Sequence, residues 1–306
     1  MTWAILPLSR RGRGKPSGAR ADVKPAGRML RLGFATGAAP RAGRKVSEWV
    51  DDSGRVVANS FSGETLHWLE WPGLGVFAFS AGSCEVRVWP EPCARHETIV
   101  ETFSRAARPI ILQALGEGQV LHAGASVGPG GLLAFCGKSG SGKSTLSFAM
   151  QEVGCRQFAD DVLLLRFEQD VITARELPFV PCLRPASRTY FPHARYTLPS
   201  SPEPHSSDVP LSAIFILQQT TGLPGPRISL MPPARAFSEL LPLAHCFDME
   251  GPTHTRRLVD NYLQVVAQVP TFRLEYRPDL QDLPRLTRNI VECARRVDGR
   301  TTFSSK

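Results

Sequence analysis

The chain predicts a mixed α/β core preceded by a small β-rich module. Three observations carry this expectation. Short β-type runs between Leu30 and Pro90 are punctuated by Gly, Ser and Pro. A strand-like run, a glycine-rich turn and a helical period follow one another across residues 132–153. Beyond them, continuous apolar strands alternate with helical repeats as far as Val297. With 306 residues, 42% hydrophobic and 21% charged, the chain has the balance of a globular protein and the length for one large domain or two modest ones.

Residues 1–29 are rich in Arg, Gly, Pro and Ala without an apolar period, and read as a disordered basic extension. Most of the net charge of +8 sits there: residues 1–46 hold 11 of the 36 Lys and Arg against a single acid, Asp22. The remaining chain is close to neutral, so the excess is a tail and not a nucleic-acid-binding face. An arm reaching nucleic acid or an acidic partner is the minor alternative. The first 15 residues place a short apolar piece before a basic run, the reverse of a secretory signal. No window approaches 18 apolar residues, which excludes a membrane-spanning helix. Seven scattered cysteines form no CxxC pair, so neither a disulfide framework nor a zinc site is expected. Reduced thiols and a cytoplasmic location follow.

Residues 30–94 are expected to form the β-rich module, with strands at Arg55–Ala58, Leu66–Trp71, Gly75–Phe79 and Cys84–Trp89. The catalytic domain is expected over 95–300, followed by a tail at 301–306. It opens with a helix from His96 to Leu115 that Pro109 should kink. Val120–Val127 and Leu132–Cys136 read as strands, and Asp161–Phe167 as another with a continuous apolar centre. Residues 177–210 are Pro-rich and read as a long loop. Strands follow at Leu211–Gln218, Arg227–Leu230 and Thr271–Tyr276. Helices follow at Ala234–Leu241, Thr255–Val269 and Asp282–Val297, the last with Asp282 as its cap.

One motif dominates. Residues 137–144, Gly-Lys-Ser-Gly-Ser-Gly-Lys-Ser, fit GxxxxGK[ST], with Thr145 next. A loop that closes on a phosphate must turn its amides inward. Gly140 and Gly142 permit the backbone angles and the close approach that a Cβ would block. Gly137, Lys138, Ser139, Gly140, Ser141 and Gly142 thus form the cradle. Lys143 can reach the β- and γ-phosphates, and the Ser144 hydroxyl is placed to ligate Mg²⁺. The helix that starts there presents its positive end. The composition predicts only about 0.006 chance matches in the whole chain. Asp160 and Asp161 follow 17 and 18 residues after Lys143, at the mouth of the next apolar run. Adjacent carboxylates at a strand end point in different directions, so one can face a metal and the other an incoming hydroxyl.

These features together resemble the HPr kinase/phosphorylase catalytic-domain family and its HPr-kinase-like serine kinases. The resemblance rests on His122 in Val-Leu-His-Ala, on the glycine loop 15 residues later, and on Ala159-Asp160-Asp161 after Gly154. It extends over residues 95–292. It implies a phosphoenolpyruvate-carboxykinase-like, HPr-kinase-like P-loop core using ATP and Mg²⁺, in which Asp160 takes the proton from a substrate hydroxyl. His122 would lie beside Asp160 and tune its charge, and Asp161 would join Ser144 at the metal. Arg184, with Arg188 nearby, would neutralise the transferred phosphate. The acceptor would be a hydroxyl-bearing protein or peptide, and such enzymes form homo-oligomers. Thr145 stands where the bifunctional HPr enzymes carry an acidic residue, and their Glu-Ile-Arg-Gly-type segment is missing. The pattern is thus closer to relatives that modify other serine-type hydroxyls. Two alternatives accompany this reading: an ATP-binding sensor or interaction protein without phosphotransfer, and a carboxykinase-like lyase acting on a small acid.

Overall fold

Short β-branched and aromatic runs separated by turn residues build the first sheet, as their composition requires. The computed structural model describes residues 4–5, 28–51, 53–168, 171–179, 181–192, 208–244 and 252–301. Among them the chain divides into two compact units, one ending at Glu117 and the other starting at Gly118. Of the basic extension expected over 1–29, only Ala4–Ile5 and residues 28–29 are described. Cys246, the 193–207 run and residues 302–306 of the tail lie outside the described residues.

The first unit holds strands β1 (Ala4–Ile5), β2 (Arg31–Phe34), β3 (Arg44–Val50), β4 (Val56–Ser62), β5 (His67–Trp71), β6 (Gly75–Phe79) and β7 (Glu85–Pro90). They lie in the order β1-β3-β4-β5-β6-β7-β2, antiparallel except for the parallel β2/β7 pair. A helix covers this sheet. It comprises α1 (His96–Thr102), a π-helical turn at Phe103–Ala107, and α2 (Arg108–Ala114). The expected kink at Pro109 takes this form: the π turn widens the ladder where the proline ring would strike the carbonyl four residues back. Phe103 stacks on Phe77 of β6 with ring centroids 6.4 Å apart. Both rings are buried, each contributing about 1.5–3 kcal/mol of transfer free energy. This packing places the helix with the β-rich unit, whereas the sequence suggested that it opened the catalytic domain.

The second unit contains β8 (Gln119–Leu121), β9 (Ala123–Gly128), β10 (Gly131–Cys136), α3 (Lys143–Ala149), β11 (Arg156–Ala159), β12 (Leu163–Glu168) and β13 (Val171–Arg175). It continues through α4 (Pro185–Tyr190), β14 (Val209–Gln219), β15 (Arg227–Leu230), α5 (Pro233–Leu240), α6 (Pro252–Gln268), β16 (Thr271–Tyr276) and α7 (Leu283–Thr301). The main path of its nine-stranded sheet is β11-β9-β10-β14-β13-β12-β8; β16 also pairs with β14, and β15 lies outside β16. The fold is mixed α/β. Strands β10, β14 and β16 run parallel, and β11 shares their direction because both β11 and β10 are antiparallel to β9. Four strands therefore end at the same edge of the sheet, the edge at which open α/β sheets present ligand sites.

The core beside this edge packs Leu146 and Met150 from the α3 segment and Leu286 and Ile290 from α7 onto Phe135, Phe215, Leu217 and Leu274. The spacing of Leu286, Ile290 and Ala294 gives α7 its buried stripe. The single strand expected over 120–127 is instead two. The chain breaks at His122, whose amide donates to Leu243 O at 2.9 Å, and β8 and β9 then pair with different neighbours. Asp282 is not the cap of α7. Its carboxylate takes a hydrogen bond from Arg277, and Asp279 caps the preceding 3-10 turn by accepting from the Gln281 amide at 2.9 Å.

Candidate functional site

The glycine loop joins β10 to α3 at the shared edge. Gly140 and Gly142 both have left-handed backbone, with φ of +83° and +92°. A Cβ on Gly140 would lie 3.1 Å from Arg184 Nη2, and one on Gly142 would collide with Tyr276 Oη. Only glycine meets both demands. Gly137 is buried, while Lys138, Ser139 and Gly140 are exposed at the tip. Within the loop the Ser141 amide donates to Lys138 O at 3.1 Å, and the Leu146 amide donates to Gly142 O at 2.8 Å, starting the helix.

Lys143 is buried at 6% exposure, and its ammonium donates to Gly137 O at 2.8 Å and Lys138 O at 3.2 Å. Burial holds its pKa below the ordinary value. The Asp161 and Asp160 carboxylates pull the other way, and the Arg184 guanidinium pushes it further down. All three charged partners named from the sequence thus act on this one lysine. Ser144 and Thr145 fill the first turn of α3, where Thr145 Oγ1 meets Ser187 Oγ of α4 at 2.9 Å.

Asp160 follows the last residue of β11. It is buried at 6% exposure, and its Oδ2 accepts the Cys182 amide at 2.6 Å. Among the described residues Asp161 is the one non-glycine with left-handed backbone, φ +71°. That conformation costs roughly 1–2 kcal/mol in an L-residue. The Asp161 carbonyl is held by the Ala123 amide at 3.1 Å and by His122 Nδ1 at 2.8 Å. A carbonyl can only accept, so Nδ1 carries the hydrogen of this bond. His122 therefore fixes the backbone of the acidic doublet.

Arg184 and Arg188 behave differently. Arg188 Nε donates to Leu183 O at 2.9 Å across its own turn, whereas Arg184 lies over Gly140. Sequence reasoning missed the Cys182 amide, Ser187, and two side chains under the loop. Gln219 Nε2 donates to Gly140 O at 3.1 Å, and the Tyr276 phenol donates to Ser141 O. The one available signal was a phenol ending the alternating Phe272-Leu274-Tyr276 face, next to the parallel strand of Gln219.

For a triphosphate the residues fit: the cradle has no room for a Cβ at Gly142, and its lysine already bonds peptide oxygens at the loop's base. Ser144 and Asp161 would be the oxygen donors to Mg²⁺, which binds through one or two protein oxygens and completes its shell with phosphate and water. Among the described residues no three His, Cys, Asp or Glu side chains gather into a self-contained metal site. No described helix is long and apolar enough to cross a membrane.

Neither a family model nor a curated protein sequence matches the chain. Among solved structures, the HPr(Ser) kinase/phosphatase from Coxiella burnetii is similar to it with a TM-score of 0.35 and 13% identity, over 61% of this chain and 99% of that one.

Proposed function

We propose that this protein is an ATP- and Mg²⁺-dependent kinase of HPr-kinase-like type, transferring the γ-phosphate to a serine-type hydroxyl of a protein or peptide. The observation that carries the reading is the buried Lys143 in the glycine loop, sharing its electrostatic surroundings with Asp160, Asp161 and Arg184. A structural turn would have no use for two carboxylates and a guanidinium converging on a desolvated ammonium.

The assigned roles follow from chemistry. Phosphoryl transfer needs positioning and neutralisation of charge more than covalent participation by the protein. The glycine-loop amides and Lys143 bind the β- and γ-phosphates. Asp160 accepts the proton of the acceptor hydroxyl as the new O–P bond forms and the bond to the leaving ADP breaks. The Cys182 amide orients that carboxylate through Oδ2. Arg184, above Gly140, faces the charge on the transferred group. Ser144 and Asp161 would hold Mg²⁺, which supplies neutralisation of the phosphate charge. His122 holds the Asp161 peptide and so fixes the backbone from which the doublet projects.

The test is incubation with γ-labelled ATP and Mg²⁺ in a lysate of the native cell. The expected result is label in an acid-stable, alkali-labile phosphoester on an acceptor, absent with Lys143→Ala. Tight ATP binding with no acceptor ever labelled would support the sensor alternative instead.

A further inference from the structure

Two parallel strands end directly beneath the glycine loop, and their last residues, Gln219 of β14 and Tyr276 of β16, are register partners. Both side chains rise to the loop and take successive carbonyls: Gln219 Nε2 donates to Gly140 O, and the Tyr276 phenol donates to Ser141 O. Each of these neighbouring carbonyls thus has one side-chain donor from the strand end beneath it. Tyr276 is buried, and its ring packs in the core formed by β10, β14, β16 and α7, so the phenol is held rigidly in place.

We infer that Gln219 and Tyr276 are positioning residues that set the glycine loop in its phosphate-receiving shape before any ligand arrives. The inference rests on the kinase reading of the same loop. Each peptide unit is planar and trans, so fixing its carbonyl on one side fixes the following N–H on the other. Pinning Ser141 O beneath the loop turns the Gly142 amide away from Tyr276, toward the face on which Lys143 and Arg184 act. Glycines give the loop this conformation at low strain and also let it leave: a chain with glycines at 137, 140 and 142 has many other accessible states. Something outside the loop must select one. The absence of a Cβ at Gly142 then has a second cause, because the methyl would occupy the place of the Tyr276 hydroxyl. A ligand that binds an already selected conformer avoids the ordering cost, and its apparent affinity rises in proportion to the population of that conformer.

The experiment uses the full chain and compares wild type with Tyr276→Phe and Gln219→Leu. Tyr276→Phe keeps the ring in the core and removes one hydroxyl. The expected result is a KM for ATP about tenfold higher, the scale of one net hydrogen bond. At saturating ATP, kcat should fall by less than about threefold, since neither side chain touches the transferring group. The double variant should be less than multiplicative, because the two bonds hold adjacent carbonyls of one loop. Amide hydrogen exchange across residues 138–142, measured without nucleotide, should accelerate in both variants. Unchanged exchange and unchanged KM in Tyr276→Phe would overturn the clamp and leave the kinase standing. Faster exchange in the variants, with no ATP binding even by wild type, would refute the kinase reading while the clamp on the loop stood. A fall in kcat at constant KM would also overturn the inference.

Discussion

Replacing Asp160 by Asn removes one charge and almost no volume. Asp160 is buried, with 6% exposure, and its Oδ2 is held by the Cys182 amide at 2.6 Å. An Asn oxygen can accept that same bond, so the fold and the glycine loop should survive. Proton acceptance is what disappears. General-base catalysis contributes about 10²–10⁴ in rate, or about 2.7–5.4 kcal/mol of barrier, so kcat should fall by that factor. ATP affinity should not fall with it. The Asp160 carboxylate acts on Lys143, and deleting a negative charge beside a triphosphate favours binding, if anything, by a small factor. The assay is steady-state phosphotransfer to the labelled acceptor alongside calorimetric titration with ATP. Wild-type kcat in Asp160→Asn would refute the assignment of the base. Lost ATP affinity at unchanged kcat would show instead that the carboxylate organises the nucleotide site.

Further expectations concern neighbouring groups. The Lys143 pKa in the folded chain lies below its ordinary 10.5 because of burial, so the unfolded chain binds the proton more tightly. The charged lysine therefore costs stability at neutral pH, and that cost vanishes as pH rises through 10.5. Without nucleotide, Lys143→Met should melt higher than wild type at pH 7, with the gap narrowing toward pH 10.5; a gap that widens with pH would contradict the burial effect. At residue 182 only the backbone N–H reaches Asp160. Cys182→Pro should thus show kcat at least about tenfold below Cys182→Ala, as expected when a hydrogen bond to a charged group is lost, and equal rates would exclude orientation by that amide. Gly142→Ala meets both a φ of +92° and the Tyr276 hydroxyl. Its cost of about 1–3 kcal/mol should appear as ATP binding weakened by at least about tenfold in a fluorescence titration, and undiminished affinity would contradict the cradle geometry.

The parts of this site that could be read from sequence have demands met within a few residues. A phosphate-sized loop needs glycines at fixed spacing and a lysine after them, and those letters stand together at 137–144. The Asp160-Asp161 doublet was legible through its distance from that loop. Other features depend on partners far along the chain. The Tyr276 hydroxyl meets Ser141 O across 135 residues, and no local period announces it. The break at His122 is equally hidden, since Val-Leu-His-Ala-Gly-Ala-Ser-Val reads as one strand until Leu243 O and Asp161 O take the backbone and ring of His122. Strand β11 and helix α4 have four and six residues, too few for a period to emerge, and α4 sits in a Pro-rich stretch that reads as loop. The helix at 96–114 was legible as a helix, but its allegiance was not. Phe103 packs on Phe77, and a helical period says which face is buried without saying against what.

Calorimetric titration of the full chain with ATP, with and without Mg²⁺, bears most directly on the whole account. Saturable binding that strengthens with Mg²⁺ and disappears in Lys143→Ala is the expected result. Binding that survives Lys143→Ala undiminished, or no binding by wild type at all, would contradict it.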